Sequence, residues 1–327
     1  MALALLVFSN GAAPAQTPQD TSRVSIDTTH TQAGGSFVTE AVPGVDQRFA
    51  SVIRKLKADG WPEEWVVERF KDKRTVFIPK MALIKIRKPS STGGESSSAY
   101  AWVNTKESAD ACRDFIAKYE PIIAAAEKRF GVDRETIAAL MRCETRHGSV
   151  TGDYHVFSVY ASMALMNDRA FVDSSLARAR QDLADEKANQ NRIDSELTRI
   201  RTRAESRSKW AYNELVNLLK IDRNGSADAM SIYGSWAGAF GWSQFLPSSY
   251  LRSAVDGNGD SKIDLFTPDD AIYSVANYLD KAGYKMGNDA SRRKALRSYN
   301  NSTPYVESIM ALADRVRKQK SAAVSGE

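Results

Sequence analysis

Cysteine, histidine and long apolar runs are all scarce in this 327-residue chain, and each shortage removes a class of protein. Two cysteines, Cys112 and Cys143, exclude a disulfide-built scaffold and a cysteine-rich zinc site. In an exported protein one bridge is allowed but not required. Cys143, inside a helical run, reads as a small core residue. The three histidines, His30, His147 and His155, are too scattered for a histidine metal site. The apolar run Ala2 to Phe8 is far too short to span a bilayer, and no cysteine follows it for lipid attachment. A basic flank is missing, yet Ala13-Pro14-Ala15 is a small-residue processing pattern. Residues 1–15 therefore read as a signal peptide, the other reading being a disordered tail, and the protein as exported.

What is present suffices for a packed core. Apolar residues make up 43% of the chain, with 12 Phe, 12 Tyr and 6 Trp. Net charge is +5. A mild basic excess suits a polyanion, but much of it lies in solvated helical segments, so no nucleic-acid partner is assigned. Residues 16–47 are rich in Thr, Ser, Gln and Gly and read as a disordered linker. From 48 to 104 a helical and extended segment is expected to pack on the main unit. Phe49, Val52, Ile53 and Leu56 share one face, and Trp65, Val66 and Phe70 another. The stretch 76–86 reads as extended and proline-broken, and 89–98 as a loop.

The main unit is expected over 105–316, mainly α-helical, with a flexible tail at 317–327. One amphipathic helix is predicted over 107–130, stopped by Gly131. A second follows over 134–146, with Asp133 as its N-cap and Thr136 in its first turn. No glycine or proline occurs between Asp153 and Arg223. Within that span Leu176, Ala179, Leu183, Ile193, Leu197, Ile200 and Ala204 keep a 3-4 spacing that lapses at Glu186 and Gln190. This predicts a long helical arm near 173–210. It is either a surface for a partner or for self-association, or a solvated helix packing a thin stripe on its own domain.

Three stretches carry chemistry. In 144-ETRHG-148, Glu144 follows Leu140 and Met141 by four and three residues, so it lies on the core side of its helix. A carboxyl in a partly apolar cleft has its pKa raised and can donate a proton near neutral pH. The other reading is a solvated helix-end acid. In 234-GSWAGAFGWSQF-245, Gly234, Gly238 and Gly241 permit close backbone approach. Trp236, Phe240, Trp242 and Phe245 offer flat faces, while Ser235, Ser243 and Gln244 offer polar groups. That combination suits a sugar, or equally a tight packing node. Third, Asp256, Asn258, Asp260, Lys262 (through its carbonyl) and Asp264 fall at positions 1, 3, 5, 7 and 9 of an EF-hand-like frame. Ser261 replaces the usual glycine, Thr267 cannot close the shell, and Asp269 or Asp270 is left to do so.

These stretches, with 255-VDGNGDSKIDLFTPDDAIYSVANYL-279 and 298-SYN-300, resemble the lytic murein transglycosylase B family over roughly 49–316. The resemblance implies a lysozyme-like α-helical catalytic domain with a small EF-hand-like loop, to which the arm looks like a long helical insertion. It implies cleavage of the β-1,4 bond between N-acetylmuramic acid and N-acetylglucosamine in peptidoglycan glycan strands. Glu144 would act as acid and then as base, with no cofactor for catalysis. Ser235, Gln244, Tyr278, Tyr299 and Asn300 would contact substrate or support the cleft. Asp256, Asn258, Asp260, Lys262 and Asp270 would hold a structural calcium ion. His147 stands where the family carries an aromatic ring. A hydrolytic muramidase, with Asp153 as second carboxylate, is the nearest alternative. A non-catalytic wall-binding or assembly protein using the arm is another.

Overall fold

The computed structural model of the protein describes residues 42–86 and 97–324. The proposed signal peptide, most of the linker and most of the 89–98 loop lie outside them. The first layer is α1 (Ala50–Ala58), α2 (Glu63–Lys71) and a short α3 (Pro79–Ala82). Phe49, Val52, Ile53, Leu56, Val66 and Phe70 are buried, as the spacing predicts. The stretch 76–86 is less extended than expected, because Pro79 opens a turn of helix, a position where its missing N–H is not needed. This layer is tied to the rest by backbone amides of Val76, Ile78 and Ile84. They donate to Ser158, Ser162 and Ser175 Oγ at 2.9, 2.9 and 3.0 Å.

The expected helix over 107–130 is two helices, α4 (Lys106–Lys118) and α5 (Glu120–Phe130). Pro121 breaks the run, since its ring excludes continuous helical bonding to the preceding turn. Gly131 ends α5 at φ 64°. Helix α6 (Arg134–Thr145) then crosses the centre, packed by α4, α11 (Pro268–Lys281) and α13 (Thr303–Val324). Asp133 sits at its N-cap position, but its side chain caps nothing. It accepts a 2.5 Å bond from Tyr284 Oη and lies 3.7 Å from Arg292 Nε. Glu127 serves α6 instead, accepting from the Arg134 amide at 2.9 Å. Helix α13 continues past 316, where a tail is expected.

Helix α7 (Val156–Ala164) is buried along its whole length. The arm is a helical hairpin rather than one helix: α8 (Arg169–Asp185) and α9 (Gln190–Arg223). It turns at the polar lapse, with Lys187 in the left-handed region at φ 51°. Asn189 Oδ1 caps α9 by accepting from the Arg192 amide at 2.9 Å. Leu176, Ala179, Leu183, Leu197, Ile200 and Ala204 form the buried seam. Helix α9 also packs on α7 and on α10 (Pro247–Ser253), so the arm is rooted in the core. Between α9 and α10, β2 (Tyr233–Gly234) pairs antiparallel with β1 (Tyr154–His155), Tyr154 opposite Gly234. Helix α12 (Asp289–Tyr299) closes onto α11 and α13.

Candidate active site

Glu144 occupies the last turn of α6 and faces a groove of about 1470 Å³. The side chain opens to that groove and is otherwise enclosed by protein. Enclosure pushes its pKa up to about 8, against the opposing effect of one hydrogen bond. That bond comes from Tyr305 Oη, which donates to Glu144 Oε1 at 2.5 Å. Tyr305 is fully buried in α13 and lies edge-on to Tyr100, ring centres 5.9 Å apart. At neutral pH Glu144 is a protonated carboxyl held by a single donor.

The chain leaves α6 through three consecutive left-handed residues, Arg146 (φ 51°), His147 (φ 58°) and Gly148 (φ 85°). Arg146 and His147 donate their amides to Arg142 and Met141 carbonyls at 3.0 and 3.1 Å, a Schellman-type end. Strain of this kind persists only where surrounding contacts impose it. Here the Thr145 hydroxyl accepts from the Gly148 amide and donates to the Trp242 carbonyl, both at 2.9 Å. Gly148 is required by packing rather than by substrate: a Cβ there would lie 2.1 Å from the Trp242 indole. His147 does the work of an aromatic ring. It stacks on Phe115 at 4.2 Å and 5°, and its Nε2–H donates to the Ala138 carbonyl at 3.0 Å. Burial lowers its pKa to about 4.

The Gly/Trp segment divides by direction. Trp236 is 36% exposed and lines the groove. Phe240 is buried and Trp242 packs on Gly148 and Tyr119, so these two rings belong to the packing node rather than to a sugar. Phe245, also buried, touches the groove wall behind Tyr278 and Tyr299, at 5.6 and 5.9 Å. Ser235 Oγ accepts from the Ala239 amide at 3.1 Å and so shapes a turn. Gly238 in that turn, at φ 83°, lies where a Cβ would strike the Tyr160 ring. Gln244, at φ 49°, donates to the carbonyls of Thr151 and Gly241, both at 3.0 Å. Buried Ser243 accepts at its carbonyl from Tyr299 Oη.

The structure brings Glu144, Ser235, Gln244, Tyr278, Tyr299 and Asn300 to one groove. Tyr278 and Tyr299 stack edge-on at 4.7 Å, and Tyr278 Oη donates to the Ser298 carbonyl at 2.7 Å. Asn300 is 7% exposed, and its Oδ1 has no partner among the described residues. Sequence reasoning missed Tyr305, Trp102 and Trp210. Only folding brings Tyr305 to Glu144 from 161 positions away. Asp153 is exposed and lines a side cavity of about 550 Å³ rather than the groove. Glu214, a buried acid of the groove wall, accepts from Ser248 N at 2.9 Å and Ser248 Oγ at 2.7 Å.

The acidic loop folds on its own backbone. Asp256 accepts from the amides of Gly259 (2.6 Å) and Ser261 (2.8 Å). Asn258 accepts from Asp260 N (2.9 Å), and Asp260 from Lys262 N (2.8 Å). Asp270 accepts from Gly257 N (2.7 Å) and Asp264 N (2.6 Å). Among the described residues no three His, Cys, Asp or Glu side chains are grouped to hold a metal ion. The loop nevertheless gathers hard oxygen donors: Asp270 is raised by burial and, further, by the charges of Asp256 and Asp260. Ser261 adopts φ 69°, the left-handed conformation for which an EF-hand frame uses glycine. Cys112 and Cys143 are free, buried thiols. Burial pushes the Cys112 thiol up to about 12, so it is an inert packing group.

The helical bundle that sets Glu144 beneath an aromatic-lined groove has a lysozyme-like fold. The profile of the transglycosylase SLT domain matches residues 44–295, and the chain belongs to that family. It is 29% identical over 177 residues to membrane-bound lytic murein transglycosylase B of Escherichia coli K12. The match takes in 54% of this chain and 39% of that relative, well under half the relative's length. Among solved structures it is similar in fold to the Escherichia coli lytic transglycosylase SLT35 in complex with bulgecin A. That TM-score is 0.60, with 21% identity over 84% of this chain and 96% of that one. The same SLT35 has been solved in complex with calcium, at TM-score 0.59 and 20% identity, covering 84% and 96%. SltB3 of Pseudomonas aeruginosa in complex with NAG-NAM-pentapeptide is similar at TM-score 0.59 and 19% identity, covering 83% and 79%.

Proposed function

We propose that this chain is a lytic transglycosylase that cuts peptidoglycan glycan strands between N-acetylmuramic acid and N-acetylglucosamine, leaving 1,6-anhydromuramic ends. One observation carries the reading: a carboxyl with pKa about 8 at the groove, bonded to a single hydroxyl donor. Glu144 gives its proton to the leaving glycosidic oxygen as the C1–O bond breaks. Tyr305 Oη then stabilises the carboxylate that forms. That carboxylate takes the proton of the muramic C6 hydroxyl as its oxygen attacks C1. The proton returns to Glu144 and no water is consumed. Trp236 offers a flat face to a sugar, and Ser235, Gln244, Tyr278, Tyr299 and Asn300 shape or contact the subsites around the acid.

A muramidase needs a second carboxylate at the reacting carbon. Asp153 faces the side cavity, and both Glu214 oxygens are engaged by Ser248. Both facts favour the intramolecular route. Product mass tests it: anhydro ends are one water lighter than hydrolysed ends, and hydrolysed ends overturn the single-acid mechanism. Glu144→Gln is expected to abolish lysis of purified sacculi while still sedimenting with them. Binding without lysis by the wild type would favour the wall-binding alternative.

Calcium is proposed as a structural ligand of the acidic loop through Asp256, Asn258, Asp260, Lys262 O and Asp270. The gathered oxygens and the left-handed Ser261 support it, and the SLT35–calcium complex is consistent with it. Calcium is expected to raise the melting temperature of chelator-treated protein, and an unchanged melt counts against it. The cell wall as substrate implies export. Among the described residues no helix is long and apolar enough to cross a membrane.

A further inference from the structure

Helix α9 presents arginines to the groove at a regular interval. Arg199, Arg203 and Arg207 are four residues apart, so they stand on one face. All three line the same cavity as Glu144. The neighbouring stripe of the helix, Leu197, Ile200 and Ala204, is buried, which fixes the rotation of the helix. Arg199 to Arg207 spans about 12 Å along the axis at the usual helical rise.

The groove is cationic overall. Six arginines line it, with three carboxyls and no lysine or aspartate. Of those carboxyls Glu144 is neutral at pH 7, Glu196 is paired with Arg199 at 2.9 Å, and Glu214 is held by Ser248. The side cavity shares Gly152, Ser235 and Trp236 with the groove and adds Lys80 and Lys85. Arg203 donates to the Lys85 carbonyl at 3.3 Å and so joins the two lips. None of the arginines is among the causes that set the Glu144 pKa, so they do not tune the acid.

We propose that the arginine face of α9 is a specificity wall that binds the carboxylates of the peptide stems carried by the glycan strand, with Arg199, Arg203 and Arg207 as the contacting groups. This rests on the reading of the groove as a peptidoglycan site. Guanidinium groups pair with carboxylates in a fixed two-point geometry. A row of about 12 Å matches an extended peptide of three to four residues at about 3.3–3.6 Å each. The single lactyl carboxyl of a peptide-free muramic residue can engage one arginine at a time. Stems carry several carboxylates along their length.

The test uses the Glu144→Gln protein, so that ligand is not consumed, with and without Arg199→Gln/Arg203→Gln/Arg207→Gln. Glutamine keeps helix propensity, and melting curves check folding. The double variant Arg199→Gln/Arg207→Gln keeps the Arg203 bond and serves if the triple variant unfolds. Calorimetric titration with soluble strands compares three ligands: stem-bearing strands, strands stripped by an amidase, and stripped strands whose lactyl carboxyl is amidated. The triple variant is expected to lose at least about tenfold in affinity for stem-bearing strands. Its preference for them over stripped strands should fall close to one, with a flatter salt dependence. An unchanged preference overturns the proposal. So does tightest binding to stripped strands with a free lactyl carboxyl. If the parent protein binds none of the three ligands, the peptidoglycan reading itself fails, a result distinct from loss of discrimination.

Discussion

The two walls of the groove each carry an enclosed carboxyl, Glu144 on α6 and Glu214 on α9. Burial raises both above the ordinary carboxylate range. Their partners differ. Glu214 receives an N–H and an O–H from Ser248, one to each oxygen, with Arg252 also favouring the charged form. Among the described residues Glu144 receives only Tyr305 Oη. Donors to the charged form decide what an enclosed acid does. Two donors and a guanidinium make Glu214 an anchor for the start of α10. One hydroxyl leaves Glu144 protonated at neutral pH and able to give that proton away.

The sharpest break of this comparison is a pair of substitutions. Glu144→Gln should cost about 10²–10⁴-fold in turnover of sacculi with the fold intact. Glu214→Gln should instead lower stability by about 1–3 kcal/mol through a half-lost pair of buried hydrogen bonds, read in a melting curve. Equal losses of turnover from two folded variants would erase the distinction.

The pH dependence sharpens it further. Activity should fall as pH rises through about 8, as Glu144 loses its proton. Tyr305→Phe removes the bond that favours the carboxylate, so this limb should move upward by about one pH unit. A limb that moves down or stays puts the Tyr305 contact in doubt. Stability carries the same sign. The folded Glu144 pKa lies above its unfolded value of 4.5, so the folded state holds the proton more tightly. The stabilisation present below 4.5 is lost as pH rises through about 8. Glu144→Gln should therefore melt progressively higher than the wild type between pH 5 and 9.

The smallest effect has the opposite slope. Folded His147 is depressed from 6.5 to about 4, so its contribution is present above 6.5 and lost as pH falls through about 4. His147→Phe keeps the stack on Phe115 and should flatten the acid side of the melting profile. An unchanged acid slope would show that His147 is not the group responsible.

How much of this was legible follows the range of each interaction. The i+3 and i+4 spacing of Glu144 from Met141 and Leu140 put the acid on the core side of its helix, where the fully buried Tyr305 meets it. The arm's seam was readable from its repeat, and its turn fell where that repeat lapsed. The break before Pro121 was local and was overlooked. The direction of each ring in 234–245 was not readable: an alternating Gly/aromatic stretch does not say which ring meets solvent. Contacts from Gly148, Tyr160 and Leu265 turned the segment so that Trp242 faces in and Trp236 faces out.

By itself the chain's order of residues determined that an acid would end a central helix, that a glycine-rich aromatic loop would follow, and that a helical arm would form. These depend on spacing, breakers and caps within a few residues. Only the tertiary structure decided how each enclosed acid is partnered, because that depends on how many donors distant elements deliver and how far they exclude water. It also decided that the arm's arginines share a wall with the acid, since α9 is rotated by the packing of its apolar seam.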